Sequence, residues 1–280
     1  MRIPPRLLVA IASQAALAQT PPPSPAAPSA AAPADFQFAE DPAGDPVATP
    51  LPPGKPWVPG WCRWDWRAGW VGQHNTMVAR TKQGGIETVF LGDSLTQGWG
   101  SEAKDLFASR FAGPFKAVNY GIGGDSTRQI LWRLKHGAID GLPARLAVLM
   151  IGTNNLYDDA NGGSDEEIAR GIATCVQALR HKLPKAKILL LAILPRQNDW
   201  FCGRVRAINA IIANLDDGTT VRFLDAGAQF LEAPGKVKAS LYNADQLHLS
   251  RKGYETLAGA IEPAMRALVR EPPPRSSPPS

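Results

Sequence analysis

The chain has 280 residues, 44% hydrophobic and 20% charged, with a formal net charge of +5. That composition is globular and excludes a collagen-like or wholly unfolded chain, and the charge is too mild to argue for nucleic acid. Of 26 prolines, 20 fall in residues 1–59 or 271–280, which leaves a single foldable domain over residues 60–270 with an ample core and a short disordered tail from 271 to 280. No stretch approaches the ~18 consecutive apolar residues of a membrane span.

Residues 1–18 carry Arg2 and Arg6, an apolar run from Leu7 to Ala12, then Ala16-Leu17-Ala18 ahead of Gln19. This is the order of a secretory signal cut after Ala18, and it predicts a periplasmic or secreted protein. Its removal takes two basic residues and no acidic ones, lowering the net charge to +3. Residues 19–59 are dominated by Pro and Ala, a composition expected to form a disordered tether. Five of the eight tryptophans follow at 57, 61, 64, 66 and 70. Such rings could stack sugars, but the simpler reading is an arm packed onto the domain. Three cysteines allow at most one internal bridge. Cys175 reads as a buried helix residue, leaving Cys62 and Cys202 as the only plausible pair, which spacing alone does not establish. Nothing has the spacing of a metal site.

From Glu87 onward, apolar runs alternate with amphipathic stretches. Strands are predicted at residues 88–91, 117–120, 146–151, 188–194 and 221–224, and helices at 101–111, 127–135, 165–183, 204–215 and 251–269. Ser164 with Glu167 forms a capping box, and Pro184 closes that helix. Continuous apolar runs imply strands covered on both faces. The expected fold is therefore a three-layer α/β/α sandwich with a five-stranded parallel sheet, its function gathered at the carboxyl ends of the strands.

Three successive strand ends carry glycine with small polar residues: Gly92-Asp93-Ser94, Gly121-Ile122-Gly123-Gly124-Asp125 and Gly152-Thr153-Asn154-Asn155. Gly-Asp-Ser recurs at 124–126, so the nucleophile has to be chosen. Ser94 follows directly on a buried strand, whereas helix capping suffices for Ser126. A hydroxyl nucleophile needs a base. His136 and His181 are explained as helix C-terminal residues, and His74 in the tryptophan-rich arm stays open. His248 stands three residues after Asp245, close enough for a carboxylate to fix its tautomer. Gly-Ile-Gly-Gly lacks the third glycine of a dinucleotide fingerprint, and the acidic stretch 158–167 lacks the glycine register of a calcium loop.

Gly-Asp-Ser-Leu, the second-block glycines, Gly-Thr-Asn and Asp-x-x-His, present in that order, resemble the SGNH (GDSL) hydrolase superfamily. Gly121–Arg128, Leu131–Lys135 and Leu194-Pro195-Arg196 are similar to the catalytic subunits of platelet-activating-factor acetylhydrolase, and Asp199-Trp200-Phe201-Cys202 departs from that pattern. The resemblance implies Ser94 as nucleophile, His248 as general base and Asp245 as its orienting partner. It implies an oxyanion hole from the N–H groups of Ser94 and Gly124 and the side chain of Asn154, with no cofactor and no metal. The implied activity is cleavage of short, acetyl-type esters, with an O-acetylated carbohydrate or another small molecule as substrate. A lipid-directed esterase or lysophospholipase and a non-catalytic carbohydrate-binding protein are the alternatives. The family allows a homodimer, on which the residues themselves are silent.

Overall fold

The structure, a computed structural model, describes residues 36–157 and 162–270. The expected leader at 1–18, residues 19–35 of the expected tether and the expected tail at 271–280 lie outside the described residues.

The five apolar runs form one parallel sheet: β1 (Thr88–Gly92), β2 (Ala117–Gly121), β3 (Leu146–Met150), β4 (Lys187–Leu191) and β5 (Val221–Leu224), ordered β2-β1-β3-β4-β5. β1 lies between two partners, with Phe90 opposite Asn119 on one side and Val148 on the other. Successive strand residues point to opposite faces, and the core divides accordingly. Val89, Leu91, Ala147, Leu149, Ile188 and Leu190 feed one apolar layer, while Phe90, Val148 and Leu189 feed the other. The expectation of strands covered on both faces, and of a three-layer sandwich, is met.

In chain order the helices are α1 (Arg67–Lys82), α2 (Ser94–Gln97), α3 (Lys104–Phe107), α4 (Gly113–Phe115), α5 (Thr127–Lys135), α6 (Asp165–Lys182), α7 (Asp199–Ile212) and α8 (Arg251–Arg270). Ile130 and Leu134 of α5, Ile172 and Val176 of α6 and Ile208 of α7 cover the first face. Phe107 of α3, Phe115 of α4 and Leu257, Ile261 and Met265 of α8 cover the second. The capping box of α6 forms as expected, Ser164 Oγ accepting from the Glu167 N–H at 3.2 Å and Glu167 Oε2 from the Ser164 N–H at 3.3 Å. The helices differ from expectation in four places: α7 starts at Asp199 rather than Arg204, the helix expected at 101–111 is α3 continued by a π-helical turn over Ala108–Ala112, and neither α1 nor the short α4 is expected from the sequence.

The tether expectation is corrected for residues 36–59. The guanidinium of Arg128, buried near the start of α5, donates to the carbonyls of Pro52 at 2.9 Å and Val58 at 3.3 Å. Thr127 Oγ1 donates to the Pro56 carbonyl at 2.6 Å, and Gln129 Nε2 to the Trp61 carbonyl at 2.6 Å. Gly60 fits against this site because it lacks a Cβ, which would stand 3.0 Å from an Arg128 nitrogen. A segment with few apolar anchors is thus held through its own backbone carbonyls. The three cysteines are all free and buried, so the Cys62–Cys202 bridge does not form; Cys62 packs among Trp61, Trp70 and Trp132, and Cys202 Sγ faces the Arg196 carbonyl.

Arg128→Ala is expected to lower stability by about 2–4 kcal/mol, since buried charged hydrogen bonds and packing are lost together. Chymotryptic cleavage after Trp57 should accelerate in parallel. Unchanged melting and unchanged cleavage would show that the arm is held by other contacts.

Candidate active site

The strand order reverses beside β1. The connection from β1 to β2 runs over the face covered by α3 and α4, and that from β2 to β3 over the face covered by α5, so the crossovers flanking β1 leave in opposite directions and open a crevice at its carboxyl end. Gly92-Asp93-Ser94 enters this crevice. The Asp93 side chain accepts from the Leu95 N–H at 2.9 Å and caps α2, which makes Ser94 the first residue of that helix. Burial pushes the Asp93 carboxyl up to about 7, only partly offset by the Leu95 N–H.

Opposite Ser94 lies the loop ahead of α8. Asp245 Oδ1 accepts from the N–H groups of Leu247 and His248, both at 3.0 Å, a local turn that the sequence spacing dictates. Asp245 Oδ2 stands 2.5 Å from His248 Nδ1, and His248 Nε2 stands 2.9 Å from Ser94 Oγ. With its Nδ1–H donated to the carboxylate, the neutral ring presents a lone pair on Nε2 to the serine hydroxyl. Partial burial raises the Asp245 pKa, but the His248 ring and the two backbone N–H groups outweigh it and hold the carboxyl below its ordinary value.

The loop after β2 and the turn after β3 complete the site. Gly124 has φ +78°, a conformation that favours glycine, and a Cβ there would stand 2.4 Å from Trp64 Nε1. The Gly123 N–H donates to Gln97 Oε1 at 3.1 Å, while Gln97 Nε2 reaches Gln73 Oε1 of α1 at 3.0 Å. Asn154 lies in the turn after β3, and its amide nitrogen donates to the main-chain carbonyl of Asp125 at 2.8 Å. Ser94, Gly124, Asn154 and His248 line one cavity of about 610 Å³. A second cleft of about 690 Å³ shares Ser94 and His248 and adds Gln97, Glu102, Asn119 and Asn243. A third concavity, of about 430 Å³, lies at the amino ends of β3 and β4 beside Arg145 and Lys187, at the opposite edge of the sheet from Ser94.

The structure thus brings together Ser94, Asp245, His248, Gly124 and Asn154. Ser126 is fully buried as the cap of α5, its hydroxyl donating to Gln129 Oε1 at 2.7 Å. His74, left open as a base, is buried between Trp70 and Trp132, with Nε2 3.2 Å from the His136 carbonyl. Burial and, secondarily, Arg133 push its pKa down to about 4. The segment expected as a divergent loop is the first turn of α7, capped by Asn198, whose side chain accepts from the Phe201 N–H at 3.2 Å. Trp200 is 59% exposed, packs edge-on against Phe201 and lines neither cleft at Ser94.

Several site residues escaped the sequence reading. Of the arm's tryptophans, Trp61 and Trp70 are buried, whereas Trp64 and Trp66 are 44% and 39% exposed and line the cavity at Ser94 with Tyr157. The guanidinium of Arg63 lies 4.1 Å from the Trp64 ring. Gln97 and Asp125 support the second-block loop from within. Asp125 closes the second glycine-rich block, but nothing in the sequence marks it as a support.

A serine hydroxyl, an imidazole and a carboxylate in file, with N–H donors beside them at the carboxyl edge of a parallel sheet, form the arrangement that serine hydrolases use. The family model for GDSL-like lipase/acylhydrolases matches residues 90–256, and the chain belongs to that family, which makes it an ester-cleaving hydrolase. The alpha1 subunit of bovine platelet-activating factor acetylhydrolase IB is 32% identical over 206 residues, covering 72% of this chain and 84% of the relative. The human alpha2 subunit is 31% identical over 208 residues, covering 73% and 86%. Among solved structures, a GDSL-like lipase from Bacteroides thetaiotaomicron shares the fold with a TM-score of 0.58 at 20% identity, covering 69% of this chain and 97% of the other. An acetylxylan esterase from Geobacillus stearothermophilus does so with a TM-score of 0.54 at 18% identity, covering 67% and 96%.

The buried carboxyls give this site a pH signature. Asp93 is raised to about 7 and Asp125 to about 6, against about 3.9 in an unfolded chain. Between these values the folded state holds protons that the unfolded state has released, so these groups make stability fall as pH rises from about 4 to about 7. Asp93→Asn keeps a cap and removes its share. The drop in Tm from pH 5 to pH 8 should be smaller in the variant than in the parent; an equal drop would show that Asp93 carries no such penalty.

Proposed function

We propose that this chain is an exported serine esterase that removes short acyl groups, acetyl first, from hydroxyl-rich alcohols of the carbohydrate type through an acyl-enzyme. The observation that carries the chemistry is the chain Asp245–His248–Ser94, with separations of 2.5 and 2.9 Å, at the meeting of two clefts. His248 takes the Ser94 proton as the hydroxyl oxygen adds to the ester carbonyl, and then gives it to the departing alkoxide. Water repeats the sequence on the acyl-enzyme and releases the acid. The N–H groups of Ser94 and Gly124 and the Asn154 amide receive the charge that develops on the carbonyl oxygen.

Acyl size and alcohol follow from what lines the clefts. Leu247 and Leu249 are the aliphatic side chains of the two linings, and the rest of their apolar surface is the rings of Trp64, Trp66, Tyr157 and Tyr254, so the clefts offer flat aromatic faces rather than an aliphatic groove for a long acyl chain. This disfavours the lipid-directed alternative. The name acetylhydrolase in relatives at 31–32% identity supports acetyl as the acyl group. Trp64 and Trp66 offer rings that a sugar face can cover, and Asn243 and Glu102 offer polar groups suited to hydroxyl groups.

With a series of simple alkyl esters, kcat/KM should fall steeply from acetate through butyrate to octanoate, and Ser94→Ala should abolish turnover of all of them while melting like the parent. A flat or rising profile would favour the lipid esterase. Turnover surviving in Ser94→Ala would remove the serine mechanism.

Export rests on the pattern of residues 1–18. Expression with its own leader should yield a mature protein beginning at Gln19 outside the cytoplasm, as read by amino-terminal sequencing. A cytoplasmic product retaining Met1–Ala18 would contradict it.

A further inference from the structure

Beneath the second-block loop lies an ion pair that the reaction itself does not use. The side chains of Asp125 and Arg133 are both fully buried and meet at 2.5 Å through Oδ2 and a guanidinium nitrogen. Asp125 Oδ1 accepts from the indole N–H of Trp70 at 2.7 Å, and the second guanidinium nitrogen of Arg133 donates to the Tyr120 carbonyl at the end of β2. Isolating two charges from water is costly, and an apolar filling of similar volume is often at least as stable. Stability alone therefore gives little reason for the pair.

Its location gives a better one. The residue whose carboxylate is clamped from two sides is also the residue whose main-chain carbonyl accepts from Asn154 Nδ2 at 2.8 Å, and it directly follows Gly124. An asparagine amide has two N–H bonds in a fixed plane, so using one on the Asp125 carbonyl sets the direction of the other. We propose that Trp70, Asp125 and Arg133 form a positioning unit for the oxyanion hole, holding the Asp125 peptide so that the Asn154 amide and the Gly124 N–H converge on one oxygen. The unit touches no substrate and acts through those two donors. The inference rests on the reading of Ser94 as nucleophile and Asn154 as oxyanion donor.

The test is a double-mutant cycle on an acetate ester, read as kcat and KM separately. Asn154→Ala should lower kcat by about 10²–10³, the usual cost of one oxyanion donor. Asp125→Asn keeps the side-chain shape and loses the charge-assisted bond. It should lower kcat by about 10-fold to 100-fold, the range set by small misplacements in an active site, with KM within about twofold. In the Asn154→Ala background, Asp125→Asn should cost at least about fivefold less than it does alone, because one of the two donors it orients is already gone. Full multiplication of the two losses, or an unchanged kcat in Asp125→Asn, would overturn the proposal. If Asp125→Asn fails to fold, Trp70→Phe removes one hydrogen bond with the ring retained, and the same cycle is run with it. Ser94→Ala separates the two levels: turnover persisting there removes the reading of the site, whereas a dead Ser94→Ala combined with multiplicative losses removes the positioning unit alone.

Discussion

The hydrogen bond from the Asn154 amide to the Asp125 carbonyl spans the end of β1. Asn154 follows β3 and Asp125 follows β2, and these are the two strands that flank the one carrying Ser94. A serine at a strand end has no special reactivity of its own. What makes the arrangement suited to acyl transfer is that three neighbouring strands end at the same height, so that donors from both sides face one hydroxyl. Parallel in-register pairing supplies that common height: Gly92 stands opposite Gly121 on one side and Met150 on the other. The long connections that parallel strands require leave the crevice open above β1, since they depart toward opposite faces.

His248 reaches the same point by a separate route. Its loop leads into α8, whose apolar residues pack on the second face of the sheet, and Tyr254 in that helix donates to the Leu95 carbonyl of α2 at 2.9 Å. The helix that follows the histidine is therefore tied to the helix that begins with the serine. Packing of α8 and the Ser94–His248 distance belong to one mechanical unit, and the Asp245 turn adds the local stiffness that fixes the ring.

Much of this was legible in the residues. Val89, Phe90 and Leu91 read as a strand covered on both sides because consecutive apolar residues have no other use in a sheet, and the site followed because Gly, Ser and Asn stood at consecutive strand ends. Much of what stayed hidden is held by contacts that leave no hydrophobic period. Residues 36–59 read as a tether because Pro and Ala offer little to bury, yet the segment is held by a buried Arg128 donating to its carbonyls. α1 buries Trp70, His74 and Thr81, a mixed set that no amphipathic template describes. The early start of α7 is set by the Asn198 side chain as its cap, whereas the sequence marked residues 199–202 only by their departure from the family pattern. Trp64 and Trp66 could not be told from Trp61 and Trp70 by spacing, because burial of a ring is decided by what it meets across the fold.

Ser94, and not the second Gly-Asp-Ser serine, is expected to form the covalent acyl intermediate. Exposing the folded protein to an organophosphorus reagent and mapping the adduct by peptide mass spectrometry tests it most directly. The account predicts a single modification on the peptide carrying Ser94, lost when His248 is replaced by Ala. An adduct on Ser126, or inactivation with Ser94 unmodified, would contradict it.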